Sequence, residues 1–409
     1  MTSSVHAYTS ITSNYLPKAR VLAASVKRAD PSVQFHLVLS DDLPAGFDLE
    51  REPFDSVITT ESLAIDNLPG WLFSHTVVEL CTAVKGIALE AIFDTKGADK
   101  VFYFDPDMVV FSRLDELAAE LDTHSILLTP HQTEPETSDD AIMDNEMASL
   151  TYGVFNLGFV GVRNDGEGRR FSRWWADRLL SYCHDDLPRG LFTDQKWVNL
   201  APCFFDNVRV LRSPAFNVAT WNITNRRATG SLEQGVQING EPLGFYHFSG
   251  FDSGDQEVML NKYGKDSPVL FELRDWYIAA CEEQGQSQLG RLPYKYATFD
   301  DGTPISRYQR LLYRQRLDLR QAFPDPFATG ISGGGYKSWY AGNAEDEPQR
   351  YKVVSISPQA GFSEVLADLS AYFRDSAHAG KARGPLTRMC LNLVAAGLGL
   401  AVRIVRAVR

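Results

Sequence analysis

In the segment Lys100-Val101-Phe102-Tyr103-Phe104 the lysine is followed by an apolar and aromatic run that stops abruptly at Asp105-Pro106-Asp107. A short, continuous apolar run ended by a turn is the pattern of a strand buried on both faces, and such strands belong to sheets covered by helices on both sides. The two acids then stand at the carboxyl end of a buried strand, where open α/β sheets take their ligands. This feature constrains the chain to an α/β class before any other residue is considered.

The flanking sequence fits that class. Val5 to Tyr8 suits a first strand, and from Ser13 onward Leu16, Ala19, Ala23 and Val26 share one face at helical spacing, with Pro17 tolerated in the first turn. Phe35 to Leu39 predicts a second strand. Ser74 to Phe93 predicts a helix whose buried stripe is Val77, Cys81, Val84, Ala88 and Ile92. Further strands are predicted at Ser125 to Thr129, Phe155 to Val162, Val208 to Leu211 and Gly244 to Phe248, with helices around Gly168 to Tyr182 and Val269 to Glu282. The core domain is therefore placed at 1–285. A loop-rich appended region follows at 286–380, with Gly333-Gly334-Gly335 among its turn signals.

Charge and cysteine usage narrow the setting. Acidic residues exceed basic ones by 52 to 40, which argues against nucleic acid as the general partner. Cys81, Cys183, Cys203, Cys281 and Cys390 are scattered without metal-site or redox spacing, so they are expected to be reduced and mostly buried. The opening residues lack an export pattern, and the expected compartment is the cytoplasm. The tail at 381–409 differs in kind. Met389 to Val402 is almost wholly apolar and is flanked by Lys381, Arg383, Arg388, Arg403, Arg406 and Arg409. That is shorter than the ~20 apolar residues a bilayer span needs. It is expected to lie in a membrane surface, with arginines at anionic lipids, or else to pack on the protein's own body.

Two carboxylates one residue apart can share a hard divalent cation, which prefers oxygen ligands and often completes its shell with phosphates. Two other readings of the acid pair stand beside this one. Haloacid-dehalogenase-like phosphatases place Asp-x-Asp after an apolar strand, with the first Asp as nucleophile, although there the motif closes the first strand of the core. A non-catalytic sugar-nucleotide-binding protein at the membrane is the third.

Five short blocks make the metal reading specific. From about residue 5 to 285 the sequence resembles the GT-A glycosyltransferases, most of all family eight and bacterial enzymes of surface-polysaccharide synthesis. Ser13-Asn14-Tyr15 resembles the family's nucleotide-binding loop, Asp105-Pro106-Asp107 its DxD motif, and Phe155-Asn156-Leu157-Gly158-Phe159 the strand whose Asn contacts donor sugar hydroxyls. Thr193-Asp194-Gln195 resembles the Asp-Gln pair beside the reacting carbon. His247-Phe248-Ser249-Gly250 resembles the His-x-x-Gly segment whose imidazole is a third manganese ligand.

The resemblance implies a GT-A mixed sheet with helices on both faces and a transferase that moves a sugar from a nucleoside diphosphate sugar to a carbohydrate or lipid-linked acceptor. It implies Mn2+ or Mg2+ at Asp105, Asp107 and His247, with Asp194 and Gln195 as catalytic residues. Thr12, Asn14, Tyr15, Lys85, Asn156 and Trp221 are assigned to substrate binding, Trp221 as a wall of the acceptor site. Retention of configuration is implied as well, while Asp252 or Asp255 could serve as the base of an inverting enzyme. Two departures bear on the donor. Thr12 and Ser13 replace acidic residues of the family, so a UDP-sugar is favoured with the base left open. Phe251-Asp252-Ser253 replaces the Lys-Pro-Trp that follows His-x-x-Gly, and Lys85 is the candidate for the missing positive charge.

Overall fold

The computed structural model describes residues 3–331 and 334–343, together with Leu393, Val394, Ala396 and Gly397. Most of the predicted basic tail, including Cys390, lies outside the described residues. The chain divides into two compact units, one of Met1–Ile305 with Pro324–Ala328 and one of Ser306–Phe323 with Thr329–Arg409.

In the first unit the strands are β1 (Val5–Ile11), β2 (Gln34–Leu39), β3 (Ser56–Thr59), β4 (Lys100–Phe104), β5 (Met108–Val110), β6 (Ile126–Pro130) and β7 (Phe155–Arg163). They continue with β8 (His184–Asp186), β9 (Leu191–Thr193), β10 (Val208–Val210), β11 (Ala228–Ser231), β12 (Gly235–Ile238), β13 (Glu241–Pro242) and β14 (Phe245–His247). The central sheet has seven strands in the order β10-β6-β7-β4-β1-β2-β3. It is parallel except for β7, which runs antiparallel to both β4 and β6. The result is a mixed α/β architecture with a mostly parallel sheet, as the GT-A resemblance implies.

Alternation along β4 shows why the sheet is covered twice. Val101 and Tyr103 point into one apolar cluster with Ala88, Ile92 and Trp175, whereas Phe102 and Phe104 point into the other with Leu16, Leu22, Leu117 and Leu121. Successive side chains of a strand face opposite ways, so both sets must be apolar when both faces are buried. The covering helices are α1 (Leu16–Ala29), α2 (Leu68–Phe73), α3 (Val77–Lys96), α4 (Leu114–Thr123) and the helix Gly166–Tyr182. Trp175 is fully buried and Trp174 packs partly buried against the same core, as their helical spacing predicts.

Three local expectations are corrected. Ser13–Tyr15 forms a single 3-10 turn, and the α-helix begins at Leu16 with Pro17 in its first turn. Val77 is not part of a buried stripe, for it is 38% exposed. It is the first helical residue, between Thr76 and Glu79 of the capping box, and the buried face of α3 instead includes Leu80, Ala83 and Leu89 because the helix is wedged between the sheet and Gly166–Tyr182. Among the described thiols, burial holds for Cys183 and Cys281, but Cys81 is half-buried and Cys203 exposed.

Two small pairings outside the central sheet position functional side chains. β14 pairs antiparallel with β5, bringing His247 opposite Met108, and β8 pairs with β9, bringing His184 opposite Thr193. Among the described residues no helix is long and apolar enough to cross a membrane. In the second unit Tyr336 is fully buried and packs against Tyr313, while its hydroxyl donates to the Gln309 carbonyl.

Candidate metal and donor site

Asp105 and Asp107 sit in a tight turn at the end of β4. The Asp105 amide donates to the Gly158 carbonyl at 2.7 Å and the Met108 amide to the Asp105 carbonyl at 3.0 Å, so the turn is tied to β7 and closed on itself. The Phe248 amide donates to the Asp107 carbonyl at 2.8 Å. That bond and the β5–β14 register carry His247 to the two acids across a long stretch of sequence. Its Nε2 lies 3.0 Å from Asp107 Oδ1 and 4.0 Å from Asp105 Oδ2. One ligand atom from each of the three residues falls within 4.8 Å of the others.

The imidazole is held from behind. His247 Nδ1 lies 3.3 Å from Asn156 Oδ1, and the Asn156 amide nitrogen lies 3.3 Å from His131 Nε2. With Nδ1 as donor to the amide oxygen, Nε2 faces the acids, donating its proton to Asp107 here and free to offer a lone pair once that proton is lost to a bound cation. Gly158 makes room for this, because a Cβ there would stand 2.5 Å from Met108 Cε, 2.8 Å from Asn156 Oδ1 and 2.8 Å from His247 Cε1. Trp221 meets the His247 ring edge-on with centroids 5.2 Å apart. Burial alone would lower the His247 pKa, but the charges of Asp107 and Asp105 outweigh it and raise it. Burial likewise pushes Asp107 up, and His247 and Lys18 together bring it below the ordinary carboxylate value.

Lys85 is the second organising group. Its side chain is 3% exposed, and its Nζ lies 3.2 Å from Asp105 Oδ1 and 2.9 Å from Asp194 Oδ2. It also donates to the Leu157 carbonyl at 3.1 Å. Burial opposes its charge, yet Asp105 and Asp194 more than compensate and hold it protonated, above the usual lysine value. The surface-lysine alternative, in which the ammonium reaches water, is thereby set aside. Tyr103 donates its hydroxyl to Asp105 Oδ1 at 2.5 Å.

Asp194 opens the short helix Gln195–Val198 without making a side-chain capping bond. Its carboxylate is directed to Lys85 instead, from a turn in which Thr193 has φ 44. A β-branched residue with positive φ is held there by its surroundings, here the β8–β9 pairing, at a cost of order 1–3 kcal/mol. The Gln195 amide donates to the Tyr152 carbonyl at 3.0 Å and its oxygen accepts the Leu157 amide at 3.4 Å, tying this segment to β7.

The amino-terminal loop approaches from the other side. Thr12 Oγ1 donates to Asn14 Oδ1 at 2.6 Å, and the Ser13 amide donates to Asp41 Oδ2 at 3.2 Å. The Tyr15 ring lies under the Lys18 ammonium at 3.6 Å, and Tyr15 also feels the charge of Asp107. Thus Asp105, Asp107, His247, Asn156, Lys85, Asp194 and Trp221 are joined by direct contacts. Gln195 is linked through β7, and Thr12, Asn14 and Tyr15 through their own loop. Asp252 is paired with Lys18 at 2.7 Å, and Asp255 accepts from Ser253 Oγ at 2.9 Å on the exposed side of the segment.

Sequence reasoning missed Lys18, Tyr103, His131 and the spatial role of Gly158. Only His131 carried a usable signal, since it follows β6 at the same carboxyl edge as Asp105.

The geometry defines a mixed α/β fold with two acids and an imidazole gathered at the carboxyl edge of its sheet. No family model matches the chain. It is 31% identical over 223 residues to the uncharacterized protein YfnD of Bacillus subtilis (strain 168), a match spanning 53% of this chain and 69% of YfnD. It is 27% identical over 174 residues to YfnF of the same organism, spanning 42% of this chain and 57% of YfnF. The chain belongs to the family of YfnD.

Among solved structures it is similar to the galactosyltransferase LgtC in complex with donor and acceptor sugar analogs, at TM-score 0.41 and 16% identity over 71% of this chain and 97% of that one. It is also similar to the apo-form glycosyltransferase GlyE of Streptococcus pneumoniae TIGR4, at TM-score 0.37 and 14% identity over 73% of this chain and 67% of that one. Likenesses of this size leave the assignment of function to the chain's own residues.

Proposed function

We propose that the chain is a metal-dependent glycosyltransferase that takes a sugar from a nucleoside diphosphate sugar. The observation that carries this reading is the convergence of Asp105, Asp107 and His247, which are separated in sequence and meet within 4.8 Å at the strand end. Two carboxylates and one neutral imidazole form a donor set suited to Mn2+ or Mg2+, and an acid pair beside the buried Lys85–Asp194 pair needs further positive charge when a diphosphate arrives.

A bound cation there would neutralise charge that grows on the departing diphosphate. The protein's own residues do the rest. Asn156 fixes the imidazole, Lys85 pairs with Asp105 and lends charge to the leaving side, and Tyr103 holds the Asp105 rotamer. Asn14 and Tyr15 take the nucleoside, with Thr12 bonded to Asn14, and Trp221 borders the acceptor side. Asp194 and Gln195 stand beside the anomeric carbon, whose transition state has oxocarbenium character. Retention of configuration, a UDP-sugar donor, and a polysaccharide or glycolipid acceptor met at a membrane surface through residues 381–409 belong to this proposal.

A thermal-shift panel of UDP, GDP, CDP and dTDP sugars, with and without Mn2+, tests it. One nucleotide class should stabilise the wild type only when Mn2+ is present, and Asp107→Asn should abolish the effect. A panel in which neither nucleotide nor metal shifts the transition removes the basis of the reading.

A further inference from the structure

Lys18 is unusual for a helical lysine. It lies in the first turns of α1 with 3% of its side chain exposed, and its ammonium is sandwiched between the Tyr15 ring at 3.6 Å and the Phe251 ring at 4.9 Å. A buried ammonium requires a fixed anionic partner. The partner it has is Asp252, at 2.7 Å, whose own side chain is 48% exposed. The pair is therefore lopsided: the cation is locked in place by two rings, and the anion is half in water on a loop bearing Gly250 and Gly254 at positive φ. Lys18 also interacts electrostatically with Asp107, so it belongs to the same charged centre as the metal triad.

An anion entering between Tyr15 and Asp107 would meet a desolvated, pre-positioned ammonium whose present carboxylate partner can withdraw into solvent at little cost. We propose that Lys18 is the second cation of the donor site, binding a phosphate oxygen of the nucleoside diphosphate, and that Asp252 is an exchangeable stand-in for that oxygen in the ligand-free protein. Charge is conserved in the exchange. One anionic oxygen leaves Lys18 for water as another arrives, and the Tyr15 and Phe251 rings keep the ammonium where it is. The inference rests on the donor-site reading above and deepens it.

Pyrophosphate titrated calorimetrically into the full chain at saturating Mn2+, after Mn2+ alone, separates this role from a structural ion pair. Lys18→Met should weaken pyrophosphate at least tenfold without weakening Mn2+ alone, because the triad is intact. Asp252→Asn should tighten pyrophosphate several-fold, because the competing anion is gone. This variant sits on the exposed side and decides the matter by itself should Lys18→Met fail to fold. A structural pair gives the opposite pattern, in which Asp252→Asn weakens pyrophosphate or leaves it unchanged, and either result overturns the inference. Pyrophosphate affinity within twofold of wild type in a folded Lys18→Met also overturns it, while leaving the metal site and the proposed transfer standing. A wild type that binds neither Mn2+ nor pyrophosphate overturns both.

Discussion

Removing Lys85 should expose how the acid cluster is held together. In Lys85→Met the apolar stem is kept and the charge is lost, leaving Asp194, whose side chain is 4% exposed, without a cation 2.9 Å away, and Asp105 without one at 3.2 Å. Breaking a buried pair by removing one partner costs about 3–5 kcal/mol, a large share of the roughly 5–15 kcal/mol by which domains are stable. Asp194 limits the loss by taking up a proton, which gives the defect a distinctive pH dependence. A carboxyl whose folded pKa lies above its unfolded value binds more protons folded than unfolded, so the variant regains stability as pH falls. Urea unfolding of wild type and variant at pH 7 and pH 5 should show a deficit of about 3 kcal/mol or more that narrows at the lower pH. Asp194→Asn in the Lys85→Met background should then add little, with a coupling energy of about 2 kcal/mol in the cycle. A deficit below about 1 kcal/mol, or one of equal size at both pH values, would refute the argument that Lys85 acts through charge and not packing.

Burial and the neighbouring His6 hold His36 down to about 3, and burial holds His131 down to about 4. The unfolded chain therefore takes up protons near pH 6.5 that these folded histidines refuse, and each withdraws up to about 1.4 kcal/mol of stability per pH unit as pH falls below that value, whereas His247, raised by Asp107 and Asp105, contributes stability that is complete below that value and is lost only as pH rises above it. His36→Gln should flatten the urea-stability slope between pH 6.5 and pH 4 by about that amount, and an unchanged slope would contradict the assignment. At Gly86 a Cβ would stand 2.6 Å from Ala176 Cα and 2.7 Å from its nitrogen, so Gly86→Ala should cost about 1–3 kcal/mol in urea melts although alanine favours helix by about 1 kcal/mol; a stabilised variant would show that the two helices can part. Mn2+ at about a hundred times its Kd should stabilise the wild type by about 2.7 kcal/mol, and thermal shifts should lose this in His247→Gln and, for wild type, as pH falls and protons compete for the imidazole; retention in His247→Gln would remove that residue from the ligand set.

How much of this was legible before the fold was known depends on the physical signal each residue carried. β4 declared itself because both its faces are buried, leaving no charged residue after Lys100 to interrupt it, and Asp105 stood out as the point where that constraint ends. Its partners on β7 and β14 were legible only through the order of short motifs, since nothing in the local pattern of Asn156 or His247 says that β5 and β14 pair. Lys18 and Lys85 were harder. A lysine on an amphipathic helix is indistinguishable in sequence from one that reaches solvent, and only tertiary placement against Tyr15 and Phe251, or between Asp105 and Asp194, turns it inward. Gly158 shows the same limit from the other side. Its missing side chain is a requirement set by Met108 and His247, which the fold brings beside it, and a glycine in a strand looks the same whether it makes space for a neighbour or merely weakens the strand. What sequence conveys well is burial along one element. What it conveys poorly is charge placed by the meeting of several elements, and the proposed chemistry of this chain lies there.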